Sequence, residues 1–98
     1  MSAYVIVDNQ IHDPDLYKAY TNLSPATVAT YGGRFLARGG AIEVAEGDWH
    51  PTRLVIIEFE SFEKAREWLV SPEYSAIKSM RQQAAHSNLL ILDGVKPA

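Results

Sequence analysis

Cysteine is absent from the 98-residue sequence, which excludes disulfide scaffolds, thiolate metal sites, thiol nucleophiles and iron–sulfur clusters. No stretch approaches the ~18 consecutive apolar residues that a membrane span requires, and no secretory leader precedes the first strand-like segment. The three histidines, His12, His50 and His86, lack the spacing of a metal site. We therefore expect a cytoplasmic protein that uses neither a membrane nor a metal or other cofactor.

An excess of charge of one sign is also lacking. Nine basic and 12 acidic residues are interspersed and give a formal net charge of -3. Nucleic-acid binding depends on a clustered basic surface, so this class of partner is not expected. Glycine-rich phosphate loops and the Gly-x-Ser-x-Gly elbow of hydrolases are missing too. Hydrophobic residues make up 47% of the chain, which together with its length predicts a single globular domain over residues 1–98.

The hydrophobic runs and turn residues predict a strand, a broken helix and a strand, and then the same plan again. Strands are expected at about 3–10, 34–46, 53–60 and 87–93, and helices at about 14–31 and 62–85. Ser24-Pro25 and Ser71-Pro72 are each expected to interrupt a helix, because proline disfavours helical geometry in the residue before it. Gly39-Gly40 is expected to bend or bulge the second strand.

Two copies of this plan are typical of the ferredoxin-like βαββαβ fold, an α+β fold with a four-stranded antiparallel sheet. Right-handed crossovers place the first and third strands side by side at the centre of that sheet. Both strands are apolar on each face, since Val5 and Ile6 point to opposite sides, as do Ile56 and Ile57. The helices can cover only one face, so a second copy on the other face predicts a homodimer. The competing interpretation is a long loop folded over the sheet, which the short predicted loops disfavour.

One set of short motifs extends over nearly the whole chain. Its members are Asp13-Pro14, Tyr31-Gly32-Gly33-Arg34-Phe35-Leu36, Arg38-Gly39-Gly40, Glu46-Gly47 and Ser71-Pro72-Glu73-Tyr74. In these motifs the sequence resembles the uncharacterised "domain of unknown function 1330" family. The resemblance implies a dimeric α/β barrel built from ferredoxin-like subunits, within a superfamily that includes antibiotic-biosynthesis monooxygenases, haem-degrading enzymes and small isomerases. It implies no established reaction.

Three side chains are candidates for proton transfer, namely Asp8, His50 and Glu58. Asp8 and Glu58 occupy matching positions in the two central strands, and neighbouring carboxylates can push their pKa values apart and act as acid and base. The favoured alternative is that both pair with arginines or reach water. His50 lies beside Trp49 in a turn, where a functional role competes with that of an ordinary loop residue.

Four side chains are candidates for binding a substrate, namely Tyr20, Arg38, Trp68 and Tyr74. Arg38, which is expected to share a strand face with Arg34, can hold a carboxylate or enolate, or form a salt bridge between subunits. The hydroxyls of Tyr20 and Tyr74 can donate to a ligand oxygen, with Trp68 as an apolar wall. Packing in the core is the alternative for all three aromatic residues.

The residues leave three functions open. The first is a small dimer that binds or converts a small organic, anionic metabolite without a metal, by proton transfer or oxygenation. The second is a non-catalytic binding or assembly module with a closed interior. The third is a monooxygenase-like or haem-degrading enzyme, although no histidine is placed as an axial ligand. A cavity between sheet and helices would separate the first function from the second.

Overall fold

In the computed structural model, which describes residues 2–96, four strands and three helices follow one another along the chain. They are β1 (Ala3–Ile11), α1 (Pro14–Thr30), β2 (Arg34–Arg38), β3 (Leu54–Phe59), α2 (Phe62–Val70), α3 (Pro72–Ala84) and β4 (Ala85–Asp93). All strand pairs are antiparallel, in the order β2-β3-β1-β4. This arrangement confirms the predicted ferredoxin-like fold with β1 and β3 at the centre. None of the helices within residues 2–96 has the length and apolar character needed to cross a bilayer.

Burial alternates along the two central strands, because successive side chains of a strand point to opposite faces. One face packs against the helices and carries the buried side chains Val5, Val7, Asn9, Val55, Ile57 and Phe59. The opposite face, called the open face below, carries Tyr4, Ile6, Leu54, Ile56, Leu90 and Leu92. Leu90 and Leu92 remain 54% and 52% exposed. The helices therefore shelter one side of the sheet. The prediction of short loops is wrong, because the 39–53 loop reaches one end of the open face, where Trp49 donates to Asp8, while Leu90 and Leu92 stay uncovered.

Aromatic side chains fill the layer between the helices and the sheet. The ring of Trp68 lies 5.5 Å from that of Phe59 and 4.0 Å from that of Tyr74, measured between centroids. All three are almost completely buried, and Nε1 of Trp68 donates to the hydroxyl of Thr27 at 3.1 Å. This stack joins α2 and α3 to β3 and forms the centre of the core.

Helix α1 runs without interruption from Pro14 to Thr30, so the predicted break at Ser24-Pro25 is wrong. Its buried residues Tyr17, Tyr20, Ser24 and Val28 follow helical spacing on both sides of the proline. An interior proline costs a helix about 3 kcal/mol, and burial of this continuous stripe offsets that cost.

The break predicted at Ser71-Pro72 is confirmed. Ser71 has an extended backbone with ψ 153°, and its hydroxyl accepts a hydrogen bond from the amide of Tyr74 at 3.1 Å. Pro72 then occupies the first turn of α3, where its missing N–H would have no helical partner. The two serine–proline pairs differ because only Ser71 caps a helix.

Strand β2 ends at Arg38, well before the predicted end near residue 46. Gly39 turns the chain away with a φ of 72°, and its amide donates to the carbonyl of Leu54 at 2.9 Å. The bulge lies earlier than predicted, at residue 36, because Phe35 pairs with Ile57 and Ala37 pairs with Ile56.

The bulge in β2 reverses the orientation of the side chains that follow it. Arg34 pairs with Glu58 on the open face, whereas Arg38 pairs with Val55 on the face that packs against the helices. The predicted common face for the two arginines is therefore wrong. The extra residue places Arg38 beside α1.

Candidate functional site

A small cavity, called the α1–sheet cavity below, lies between α1 and the helix-facing side of the sheet. Its polar and aromatic lining includes Asn9, Tyr17, Tyr20, Arg38, Trp68 and Arg81, and no carboxylate of residues 2–96 contributes to it. Together with the solvent space at its mouth, the cavity has a volume of about 360 Å³ free of protein atoms. The centre of a water molecule can occupy about 20 Å³ of it, which is room for a single water.

The hydroxyl oxygen of Tyr17 accepts two hydrogen bonds at one end of the cavity. Nδ2 of Asn9 donates at 2.9 Å and Nε of Arg53 donates at 3.1 Å. The hydroxyl of Ser87 lies 2.6 Å from Oδ1 of Asn9, a distance typical of O–H···O bonds, which fixes the orientation of the Asn9 amide. Asn9 is 1% exposed on an otherwise apolar strand face, so this buried amide serves to hold Tyr17.

A second network joins α1 to α3. The hydroxyl oxygens of Tyr20 and Tyr74 lie 2.7 Å apart, and Nε of Arg81 donates to the Tyr74 oxygen at 3.1 Å. Burial is the main cause that raises the pKa of Tyr20, and the neighbouring Tyr74 raises it further, so the Tyr20 hydroxyl stays protonated at neutral pH. Arg81 is only 6% exposed, and none of the carboxylates within residues 2–96 forms an ion pair with it.

Arg38 lies where the cavity meets solvent. Its Nη2 donates to the backbone oxygen of Thr21 in α1 at 2.8 Å, and its guanidinium carbon lies 4.6 Å from the centre of the Phe35 ring. The side chain thus extends from the edge strand β2 to α1. It is exposed and makes one hydrogen bond to the protein.

The structure brings the four predicted binding residues together. Tyr20, Arg38 and Trp68 line the α1–sheet cavity, and Tyr74 lies directly behind Tyr20 without reaching the cavity itself. Their proximity follows from the packing of α1 against α3 and the bulge in β2. Ligand binding by these residues stays a prediction.

The carboxylate pair considered for proton transfer does not form, because Asp8 pairs with Leu54 and Glu58 pairs with Tyr4 at the other end of the two strands. Glu58 instead follows the favoured alternative and pairs with an arginine. Four residues of strand separate Asp8 from Glu58 by roughly 13 Å. Both lie on the open face, remote from the cavity. Asp8 and Glu58 match only when each is counted from the start of its own strand. Because the two strands run in opposite directions, such positions lie at opposite ends of the pair.

The three candidates for proton transfer have separate surroundings. Oδ2 of Asp8 accepts a hydrogen bond from Nε1 of Trp49 at 3.0 Å, and His50 is exposed in the 39–53 loop. Glu58 lies 2.7 Å from Arg34, whose hydrogen bond is the main cause that lowers the pKa of Glu58. In the part of the chain that the structure describes, no three His, Asp or Glu side chains are grouped as metal ligands.

Residues 2–95 match the family described as Domain of unknown function (DUF1330). The chain belongs to this family. No curated protein matches the sequence of this DUF1330 protein. The family assignment confirms the resemblance seen in the sequence motifs and brings no reaction with it.

Solved structures that are similar to this DUF1330 protein share its fold at low sequence identity. The RPA0582 protein of unknown function from Rhodopseudomonas palustris is 24% identical, covering 98% of this chain and 84% of its own, with a TM-score of 0.70. A dimeric ferredoxin-like protein of unknown function from Jannaschia sp. CCS1 is 10% identical, covering 96% and 100%, with a TM-score of 0.77. SnoaB, a cofactor-independent oxygenase from Streptomyces nogalater, is 13% identical, covering 98% and 95%, with a TM-score of 0.69.

Four residues that line the cavity or contact its lining were not candidates in the sequence analysis, namely Asn9, Tyr17, Arg53 and Arg81. Two of them interrupt an apolar pattern. Asn9 follows Val5 and Val7 on the side of β1 that faces the helices. Arg81 lies on the buried side of α3, four residues after Ile77. A polar residue at a core position is rarely buried without a partner, so these interruptions were the available signal.

Proposed function

We propose that this DUF1330 protein binds a small organic anion in the α1–sheet cavity and that it does so as a homodimer. The observation that carries the proposal is the charge of the lining. Arg38 and Arg81 contribute guanidinium groups, Tyr17 and Tyr20 contribute hydroxyls, and none of the described carboxylates lines the space. An anion is the ligand class that such a lining favours.

Arg81 is the strongest support for an anionic ligand. A buried charge is costly unless it is paired, and arginine keeps its charge in proteins. Tyr74 accepts one hydrogen bond from Nε of Arg81. The two terminal nitrogens of Arg81 have no carboxylate partner within residues 2–96, and they reach solvent, since no buried side-chain nitrogen among these residues lacks a hydrogen-bond partner. A bound anion would supply the missing opposite charge.

Arg38 provides a way for such a ligand to enter. The cavity has room for one water, so a larger molecule must displace a side chain at the mouth. Arg38 is exposed there and is bound only to the neutral carbonyl of Thr21. Hydrogen bonds to a charged acceptor are about twice as strong as neutral ones, so an anion would draw Arg38 away from Thr21 and onto itself.

The homodimer part of the proposal rests on the open face. Ile6, Ile56 and Leu90 lie side by side on three adjacent strands, with Leu92 two residues beyond Leu90. Burying one such side chain contributes roughly 1.5–3 kcal/mol, and large apolar patches on protein surfaces mark interaction sites. The ferredoxin-like neighbours from Jannaschia sp. CCS1 and Bacteroides fragilis are dimeric proteins, which supports a second copy as the cover.

A non-catalytic assembly module is the second candidate, and the tightness of the cavity favours it. If the interior serves only for packing, ligands have no effect and the dimer is the whole function. The fold likeness to SnoaB at 13% identity carries no chemistry. Oxygenase and haem-degrading activities are therefore left outside the proposal.

A thermal-shift screen of small carboxylates, phenols and enolisable diketones tests the binding proposal. A ligand at ten times its Kd stabilises the folded state by about 1.4 kcal/mol, which raises the Tm of a domain this size by several degrees. Arg38→Gln should reduce that rise. Arg66→Gln, which changes an exposed arginine on α2, should preserve it. If no anion raises the Tm of the unaltered protein, the assembly module replaces the binding proposal.

A further inference from the structure

The direction of the hydrogen bond between Tyr20 and Tyr74 depends on what else each oxygen contacts. The Tyr74 oxygen already accepts from Nε of Arg81, and its other partner within the described residues is the Tyr20 oxygen. Tyr74 is fully buried. If Tyr20 donated to it, the Tyr74 proton would be buried without an acceptor, which is costly. Either oxygen can be the donor in the pair, and a ligand oxygen in the cavity would favour the direction in which Tyr74 donates to Tyr20, because the proton of Tyr20 then turns to the cavity that Tyr20 lines.

The hydroxyl proton of Tyr17 is also without a protein acceptor in the described part of the chain, because two donors already occupy the Tyr17 oxygen. Its oxygen accepts from the amide of Asn9 and from Nε of Arg53, which uses both of its lone pairs. Its own proton has no acceptor among the hydrogen bonds of residues 2–96, and Tyr17 also lines the cavity. Tyr17 and Tyr20 lie one helical turn apart with ring centroids separated by 5.8 Å. Both phenol hydroxyls can therefore donate to one ligand atom in this small space.

We infer that the α1–sheet cavity is a site for a single oxyanion of the phenolate or enolate class, held by the hydroxyls of Tyr17 and Tyr20. This inference rests on the proposed function and narrows its ligand. The cavity accommodates one oxygen-sized group, whereas a carboxylate brings two oxygens. The carbon skeleton of the ligand would lie at the mouth, beside Phe35 and Arg38.

Positive charge behind each hydroxyl strengthens its donation. Arg81 donates to Tyr74, which donates to Tyr20, and such chains of hydrogen bonds polarise one another in a low-dielectric interior. Arg53 acts on Tyr17 directly. Burial keeps the pKa of Tyr20 above its ordinary value, so the hydroxyl remains a donor when the anion binds. Tyr74, Arg81 and Arg53 are positioning residues in this scheme.

Titration of 4-nitrophenol in the presence of the full chain tests the inference, because its ionised form has its own absorption band. Bound 4-nitrophenol should ionise about one pH unit below the free compound, which corresponds to a tenfold preference for the anion. A cyclic 1,3-diketone supplies the enolate arm of the experiment, and benzoate supplies the carboxylate arm. Binding of the first two should exceed that of benzoate by at least about tenfold.

Variants identify the groups responsible. Tyr17→Phe and Tyr20→Phe should each weaken 4-nitrophenolate binding by about tenfold, since hydrogen bonds to a charged acceptor are strong. Tyr74→Phe leaves the cavity lining intact but interrupts the chain from Arg81, so it should reduce the shift in ionisation more than the affinity. Tyr31→Phe removes an exposed hydroxyl that donates to Glu73 and should change neither. Urea unfolding verifies that each variant is folded.

The outcomes distinguish a failure of the oxyanion assignment from a failure of the proposed anion binding. If benzoate binds while the phenol and the diketone do not, the anion site stands and the oxyanion assignment fails. Binding of 4-nitrophenol with unchanged ionisation, or Tyr17→Phe and Tyr20→Phe variants that match Tyr31→Phe, also overturns it. If none of the three compounds binds, the proposed function fails as well.

Discussion

The backbone oxygen of Thr21 accepts a hydrogen bond from Nη2 of Arg38 at 2.8 Å. In an α-helix this oxygen would accept from the amide four residues later, but that residue is Pro25, which has no N–H. The unused carbonyl is therefore free for a side chain from β2. A proline that costs α1 stability thus provides the anchor for an arginine at the mouth of the cavity.

Replacing Pro25 by alanine should stabilise the chain. Pro25→Ala supplies the missing amide to Thr21, and we expect the free energy of unfolding in urea to rise by about 1–3 kcal/mol. Pro72→Ala is the matched control, because Pro72 lies in the first turn of α3, where its missing N–H removes no hydrogen bond from a helical carbonyl. Its effect should stay below about 1 kcal/mol. Equal effects of the two substitutions would contradict this account of the Thr21 carbonyl.

Gly39 should resist substitution where its neighbour does not. A Cβ at Gly39 would overlap the guanidinium of Arg53, and the φ of 72° is unfavourable for any other side chain. Gly39→Ala should lower the free energy of unfolding by about 1–3 kcal/mol and displace Arg53 from Tyr17. Gly40 has no atom within 4 Å of an added Cβ, so Gly40→Ala should change stability by less than about 0.5 kcal/mol. Urea unfolding of both variants decides the matter.

A charge on the open face should separate the proposed dimer. Leu90→Glu places a carboxylate beside Ile6 on that face, and an unpaired buried charge costs about 3 kcal/mol or more. The dimer Kd should therefore increase by more than about 100-fold in sedimentation equilibrium. Val70→Glu changes a residue of α2 that is 72% exposed and lies outside the open face, so its dimer should remain. Unchanged association in both variants would mean that the open face is not the interface.

Stability in acid should depend on the Arg34–Glu58 pair. The hydrogen bond from Arg34 is the main cause that lowers the pKa of Glu58 below its ordinary 4.5. Between the folded and unfolded pKa values the unfolded chain binds more protons, so the free energy of unfolding rises with pH. The contribution is complete above 4.5 and is lost as the pH falls through the folded pKa.

Arg34→Gln should make the dependence of stability on pH shallower in that acidic window and leave its shape near neutrality unchanged. Urea unfolding across the window measures the slope. Arg66→Gln is the control, since Arg66 lies 4.0 Å from Glu63 on an exposed helix surface. Indistinguishable slopes for the two variants would show that the pair contributes nothing measurable, as is common for surface ion pairs.

The fold was predictable because local patterns agree with one another. Apolar alternation in β1 and β3, the cap at Ser71 and the repeated strand–helix–strand order all indicate the same sheet. The site was predictable only in part. Helical spacing was enough to identify Tyr20, Trp68 and Tyr74 as candidates. Asn9 instead matters through Ser87, 78 residues away, and Arg81 through Tyr74, seven residues away. Such pairings are not visible in a single sequence.

The sequence by itself determined the order of strands and helices, the division of the sheet into two apolar faces, and the family. Only the tertiary structure decided that α1 continues through Pro25, that Asp8 and Glu58 lie apart, and that Arg38 points toward α1. The physical reason is that periodicity depends on neighbours along the chain. Helix continuity at a proline, strand register and the position of a bulge depend instead on packing energies between distant segments, which are settled only when the elements meet.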